Sequence, residues 1–279
     1  MSAVNLPYLI PRVVRHFLPE NLTRFLLLRS LIIRPGLETT DPVTAVRRYV
    51  DLLDARGGSI KGKRVLIFGY GGRFDVGVGL LEAGAGHVVL CDKYAPPDDI
   101  HNKGFLPKYE EFIFLENGRP RPRPEHMTLL ETDVREVIPS AEFRPIDLVL
   151  SSSVYEHLDE VDDLTRALAA LTKPDGWHFH YVDLRDHFFK YPFEMLAYSE
   201  PVWRGWLNPT SNHNRYRLWD YRRVFEKYFK IVEIQILQRD ESGFEKTRSR
   251  LRPEFVSGNL QDDSVTLVLI IAAKPRSAR

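Results

Sequence analysis

Five short apolar runs, each closed by a glycine or a polar residue, constrain this chain more than any other feature. Arg64-Val65-Leu66-Ile67-Phe68 runs into Gly69, and His87-Val88-Val89-Leu90-Cys91 runs into Asp92. Thr128-Leu129-Leu130-Glu131-Thr132-Asp133, Ile146-Asp147-Leu148-Val149-Leu150-Ser151 and residues 177–183 repeat the pattern. Short continuous apolar runs suit strands buried on both faces, as in a parallel sheet. Helical stretches near 75–84 and 160–172 fall between them. Strand–helix–strand alternation means right-handed crossovers and a doubly wound α/β sheet. Further on, residues 218–229 suit a helix, 231–237 a strand, and 265–273 a last, strongly apolar strand.

The chain has 279 residues, enough for one such domain with extensions. With 43% hydrophobic and 28% charged residues it can bury a full core and stay in solution. A formal net charge of +1 argues against a surface built for a nucleic-acid backbone, which needs a basic face. Cys91 is the only cysteine, so neither an internal disulfide nor a cysteine-rich zinc site can form. The most apolar stretch near the start, residues 25–33, is too short to span a bilayer and carries Arg29. It also lacks the form of a secretory signal. The expectation is a cytoplasmic protein with no transmembrane segment.

Residues 1–60 read as a helical N-terminal extension and residues 61–279 as the α/β domain. Pro19-Glu20-Asn21 can open a helix, and Pro35-Gly36 breaks the pattern. Thr40-Asp41-Pro42 reads as a cap, with proline in the first turn of a helix that ends at Gly57-Gly58. The extension is a cap on the sheet, or else a lid or the contact of a homodimer. Two insertions, at about 94–127 and 184–217, exceed ordinary connections. The first contains Arg119-Pro120-Arg121-Pro122-Arg123-Pro124, whose alternating prolines are expected to forbid helix and sheet and leave an extended, exposed segment. The second is rich in aromatics, Asn, Pro and Arg, and is expected to form a lid and wall for a substrate.

In open α/β sheets ligands sit beyond the carboxyl ends of the strands, where the strand order reverses. Here those ends carry, in order, Gly69-Tyr70-Gly71-Gly72-Arg73, Asp92-Lys93, Asp133-Val134 and Ser151-Ser152-Ser153. Glycines let the backbone turn sharply and approach a ligand closely. A carboxylate after the second strand can accept both hydroxyls of a ribose, and one after the third can accept an adenine amino proton. Together with Asp147-Leu148-Val149, Ser153-Val154-Tyr155-Glu156-His157-Leu158 and Leu171-Thr172-Lys173-Pro174-Asp175-Gly176, the glycine segment resembles the class I S-adenosylmethionine (SAM)-dependent methyltransferases, over roughly residues 60–275.

That resemblance implies a Rossmann-like seven-stranded sheet whose last strand is antiparallel, and an enzyme that transfers the methyl group of SAM. It implies Gly69 and Gly71, flanked by Tyr70 and Arg73, against the methionine part of SAM. Asp92 with Lys93 would serve the ribose, Asp133 with Val134 the adenine, and Ser151 would stand near the sulfonium. Two positions depart from the family's first motif: Ile67 stands where an acid is usual, and Arg73 where a third glycine is usual. Asp75 is the acid expected to restore the charge. A nicotinamide dinucleotide would use the same glycine turn and Asp92, but the Pro-x-Gly and Tyr-Glu-His segments speak for SAM.

The second informative stretch is residues 178–188. Strand alternation sends His178 and His180 to one face and Phe179 and Tyr181 to the other. Asp183, Asp186 and His187 then gather at the strand's carboxyl end. With Tyr198-Ser199-Glu200, Trp203, Asn208-Pro209, Asn214-Arg215-Tyr216-Arg217 and Asp220-Tyr221, this stretch resembles methyltransferases of sugar and polysaccharide pathways. The implied acceptor is a hydroxyl of a sugar or oligosaccharide. A hydroxyl is a poor nucleophile until its proton is leaving, and an imidazole with an ordinary pKa of about 6.5 suits the role of base.

The candidate bases are His157 and His187, with Asp183 or Asp186 orienting the latter. Tyr155, Asp186, Asn214 and Arg215 are the candidate acceptor contacts. Asp183, Asp186 and His187 are alternatively suited to hold Mg²⁺. Competing readings are a lipid or aromatic natural-product acceptor bound by Phe188, Phe189 and Phe193, and a non-catalytic SAM-binding scaffold. Nucleic-acid methylation has the Arg-Pro segment in its favour. Against it stand the near-neutral charge and the lack of an Asn/Asp-Pro-Pro-aromatic motif after the fourth strand.

Overall fold

The five apolar runs become the centre of a seven-stranded sheet. In the computed structural model, which describes residues 5–19, 22, 37–137 and 143–276, nine strands are β1 (Arg64–Phe68), β2 (His87–Cys91), β3 (Ile113–Glu116), β4 (Arg119–Pro122), β5 (Met127–Leu130), β6 (Ile146–Ser152), β7 (Thr172–Asp183), β8 (Phe229–Arg239) and β9 (Val265–Pro275). The main sheet runs β5-β2-β1-β6-β7-β9-β8. β9 is antiparallel to both β7 and β8, while the pairs from β5 to β7 are parallel. This is the expected doubly wound sheet with an antiparallel last strand. The longer helices are α1 (Leu6–His16), α2 (Pro42–Asp54), α3 (Asp75–Glu82), α4 (Val161–Leu171), α5 (Leu218–Tyr228) and α6 (Glu241–Arg248). The expected helix start at Glu20 and Asn21, the apolar stretch at 25–33 and the break at Pro35-Gly36 lie outside the described residues.

Each face of the sheet has its own apolar layer. Leu66 and Val149 point into the layer under α4 and α5; Val65, Ile67 and Leu148 point into the layer under α2 and α3. Burial on both faces is why these strands are apolar at successive positions. β7 obeys the expected alternation: Phe179 and Tyr181 join the α2 layer, while His178 rests on Phe229 and His180 on Tyr155, with ring centroids 4.6 Å apart in both cases. α2 starts as anticipated, with the Asp41 carboxylate accepting from the Thr44 amide and Pro42 in the first turn.

The expectation for the Arg-Pro segment needs correction on both counts. The Arg-Pro segment does form sheet: β4 pairs antiparallel with β3, placing Pro122 opposite Ile113 and Pro120 opposite Leu115. The Arg123 amide donates to the Phe112 carbonyl, so hydrogen-bonded pairs fall on the arginines and the prolines take the positions whose missing N–H faces away. Both prolines in β4 are buried, so the segment is not simply exposed. Pro174-Asp175-Gly176 lies inside β7, as an excursion: Ile146 faces Thr172, and the next pair is Leu148 with Trp177.

The second insertion packs into a core of its own. Phe193, Met195, Leu196, Trp203 and Leu207 meet Phe244 of α6. α1 docks on this unit: Tyr8 is fully buried and its hydroxyl donates to Asp186 at 2.6 Å, and Arg12 pairs with the same carboxylate. Among the described residues, no helix is long and apolar enough to cross a membrane.

Candidate active site

The strand order reverses between β1 and β6, since the chain moves outward from β1 to β2 and β5 on one side and from β6 to β7 on the other. A crevice of about 200 Å³ opens at that point, bounded by Gly69, Gly71 and Arg73 after β1 and by Ser152 and Ser153 at the end of β6. Gly69 has φ +78°, and a Cβ there would stand 2.3 Å from Val154 Cγ2. Gly71, also at positive φ, has nothing within 4 Å of its Cβ position and so presents bare backbone to open space. Ser153 holds φ +54° without being glycine, a strained conformation pinned by its amide donating to the Tyr181 carbonyl. A larger hollow of about 320 Å³ lies at the opposite ends of these strands, beside Lys63, Asp147 and Trp177. There Lys173 and Lys63 already neutralise Asp147.

The two strand-end acids, Asp92 after β2 and Asp133 after β5, are each already engaged. Asp92 accepts from the amides of Gly71, Tyr94 and Ala95. Asp133 is held by Arg135 and Lys93, and the Arg135 hydrogen bonds keep its carboxyl far below the usual range. Val134 is buried directly behind it. Tyr70 is nearly buried, with no hydrogen-bond partner for its hydroxyl. Arg73 reaches the Thr39 carbonyl at 3.4 Å.

Ser151 does not face the crevice. It is fully buried, and its hydroxyl bonds to His180 Nδ1 at 2.7 Å. From there a chain of hydrogen bonds continues from His180 to His178 and on to Thr172, whose hydroxyl donates to the Leu168 carbonyl. Both rings are satisfied as neutral imidazoles, and burial holds His178 well below its usual pKa and His180 at about 3.

One residue on the crevice escaped the sequence reading. Glu38, in a short helical segment before α2, lines the crevice beside Ile67, the position that lacks the usual acid. The Tyr49 hydroxyl donates to its carboxylate, and burial pushes its pKa up to about 7. Asp75, the expected substitute, lines the same crevice, with its carboxylate paired with His101 at 2.9 Å. Chain separation hid Glu38, and only the docking of α2 on the sheet reveals it.

Beyond Ser153 the chain enters a histidine-rich wall. His157, His187 and His213 pack ring against ring, with centroids 4.9 Å apart for 157–187, 4.8 Å for 187–213 and 5.8 Å for 157–213. Glu156 lies beneath them, 1% exposed, with Oε1 4.0 Å from His187 Nε2. Burial drives the Glu156 carboxyl up to about 8 and lowers the pKa of all three imidazoles.

The expected partners of His187 are engaged elsewhere. Asp183 is bound by Arg185 and Asp186 by Arg12 and Tyr8, so the Asp183–Asp186–His187 grouping suggested for Mg²⁺ does not assemble around free carboxylates. Three of the suggested acceptor contacts likewise serve the protein itself. Tyr155 is fully buried in the core. Asn214 ties down the Tyr155 and Leu158 carbonyls. Arg215 is 2% exposed, bound to the Met195 and Tyr198 carbonyls and to Glu200.

No protein-family model matches the chain, and neither does any curated protein. Solved structures do resemble it. Burkholderia thailandensis 1,6-didemethyltoxoflavin-N1-methyltransferase, with 1,6-didemethyltoxoflavin and S-adenosylhomocysteine bound, matches at TM-score 0.51 and 16% identity, over 99% of this chain and 93% of that one. A chain of the complex between the Haloferax volcanii Trm112 methyltransferase activator and a methyltransferase matches at 0.51 and 15%, over 86% and 93%. Haemonchus contortus phosphoethanolamine N-methyltransferase 2 with SAM bound matches at 0.50 and 14%, over 88% of this chain and 54% of that one. The chain has the Rossmann-like fold of the SAM-dependent methyltransferases.

Proposed function

We propose that this protein is a SAM-dependent methyltransferase that uses the crevice between β1 and β6 for the methionine end of the cofactor and the histidine wall for the acceptor. The observation that carries the reading is the crevice itself. It sits at the topological switch point, floored by bare backbone at Gly71 and flanked by the strained Ser153. Glu38 supplies the negative charge missing at Ile67, suited to the ammonium group of the methionine moiety. Asp92, Lys93, Asp133 and Val134 stand at the adjoining strand ends, where ribose and adenine would lie. Methyl transfer is an in-line displacement, so alignment of acceptor and methyl carbon supplies much of the rate. A neutral imidazole can take the acceptor's proton, and burial keeps His157 and His187 neutral.

The acceptor class that the sequence resemblance supports is a sugar or oligosaccharide hydroxyl. The decisive measurement comes in two parts. Calorimetry with S-adenosylhomocysteine should give a one-to-one complex, and its absence ends the cofactor reading. A panel of sugar, lipid and aromatic acceptors with radiolabelled SAM then assigns the class. Label transfer only to lipids or aromatics removes the sugar reading, and transfer to none leaves a SAM-binding scaffold. Single substitutions of His157 and His187 should lower turnover with cofactor affinity retained; full turnover in both removes them from the chemistry.

A further inference from the structure

The histidine wall contains more unsatisfied polar atoms than an acceptor wall needs. Glu156 Oε2, His187 Nδ1 and both ring nitrogens of His213 are buried without a hydrogen-bond partner. The Arg185 backbone faces His213, but outside hydrogen-bonding geometry. Buried polar groups are ordinarily paired, so four orphans in one cluster call for a missing partner. The donor atoms of Glu156, His157 and His187 lie within 4.8 Å of one another.

The surroundings are arranged as a metal's outer shell would be. His157 Nδ1 meets two carbonyls, those of Asn212 at 2.8 Å and Ser211 at 3.0 Å, so it must carry the proton and leave the Nε2 lone pair free. The Asn212 side-chain amide donates back to the His157 carbonyl at 2.8 Å, and the Asn214 amide to the Glu156 carbonyl at 2.9 Å. These bonds clamp the loop that carries His213 against the turn that carries Glu156 and His157.

We propose that Glu156, His157, His187 and His213 bind one divalent transition-metal ion of the zinc class. Three imidazoles and one carboxylate suit Zn²⁺, Co²⁺ or Ni²⁺, whereas Mg²⁺ takes oxygen ligands. Tetrahedral coordination at bonds of about 2.0–2.1 Å places donors roughly 3.3 Å apart. Among Glu156, His157 and His187 the widest separation must therefore close by about 1.5 Å, and His213, whose ring centroid lies 4.8 Å from that of His187, must turn a ring nitrogen toward them. Binding at this site does not depend on the methyltransferase reading. Its position beyond Ser153, on the acceptor side of the crevice, does, and with the metal bound His157 and His187 act as ligands in place of the base role given to them above.

The test uses the full chain, stripped with a chelator and titrated with Co²⁺, followed by visible absorption and by displacement with Zn²⁺. One Co²⁺ per chain is expected, with a d–d band of a four- or five-coordinate site that disappears on adding one equivalent of Zn²⁺. His187→Asn and His213→Gln should each weaken Co²⁺ binding tenfold or more, while Asp183→Asn leaves it within about twofold. A chain that takes up no Co²⁺, or binds it equally well in both histidine variants, overturns the proposal. Thermal melting and S-adenosylhomocysteine titration of every protein report folding and the cofactor site separately. Binding of the nucleoside without Co²⁺ removes the metal site alone; Co²⁺ binding without the nucleoside supports the metal site and removes only the cofactor reading.

Discussion

Glu38 is the residue whose role most changes how the crevice is read. Its carboxyl titrates near 7 because burial disfavours the charge. Under the proposed function, attraction for the ammonium group of the cofactor needs the ionised form, so affinity for S-adenosylhomocysteine should rise from pH 6 to 8 in the native protein. In Glu38→Gln it should be weaker and flat over that range. Calorimetry at three pH values decides this, and a flat profile in the native protein removes Glu38 from the cofactor site. Gly69 makes a second residue-scale prediction. Alanine there costs about 1–2 kcal/mol for the left-handed backbone, before the 2.3 Å approach to Val154 is relieved. Gly69→Ala should therefore lower the melting temperature and abolish cofactor binding. An unchanged melting curve would mean the turn is more plastic than its packing indicates.

At the scale of elements, α1 and the second insertion are joined by a buried ion pair. Arg12 is 1% exposed and Asp186 0%, and Tyr8 adds a hydrogen bond to the same carboxylate. Removing one member of such a pair strands a buried charge and costs about 3–5 kcal/mol, whereas replacing both with apolar residues is often neutral or better. Asp186→Asn should thus lower the urea midpoint sharply, and Arg12→Met with Asp186→Leu should recover most of the loss. If the double variant is no more stable than the single one, the pair does more than neutralise itself. The same elements show why pattern reading worked unevenly. β1, β2 and β6 are apolar runs because both faces are covered, and that signal is local. β4 looked like a broken segment because proline was counted against sheet without asking which edge each missing N–H would face.

Across the whole molecule, buried ionisable groups set the pH response. His157, His178, His180, His187 and His213 are all held below their ordinary pKa by burial, so the folded chain keeps them neutral while the unfolded chain protonates them near 6.5. Each therefore contributes stability that is present above about pH 6.5 and lost as pH falls through it. Glu38 and Glu156 act in the opposite sense, since their raised pKa values make the folded state bind protons that the unfolded state releases above about 4.5. Five histidines outweigh two glutamates. The urea midpoint of the metal-free protein should fall steadily from pH 6.5 to 5. A midpoint that holds level or rises would show that the rings gain protons without unfolding.

The sequence by itself determined the doubly wound sheet, the order of its strand ends and the cap at Asp41, because burial on both faces, glycine turns and helix caps are written in adjacent residues. The tertiary structure alone decided which strand-end groups face the crevice. It turned Ser151 inward onto His180, engaged Asp183 and Asp186 with arginines, brought Glu38 beside Ile67, and gathered Glu156, His157, His187 and His213 from three separate segments. Such meetings depend on packing between residues far apart in the chain, which no local pattern encodes.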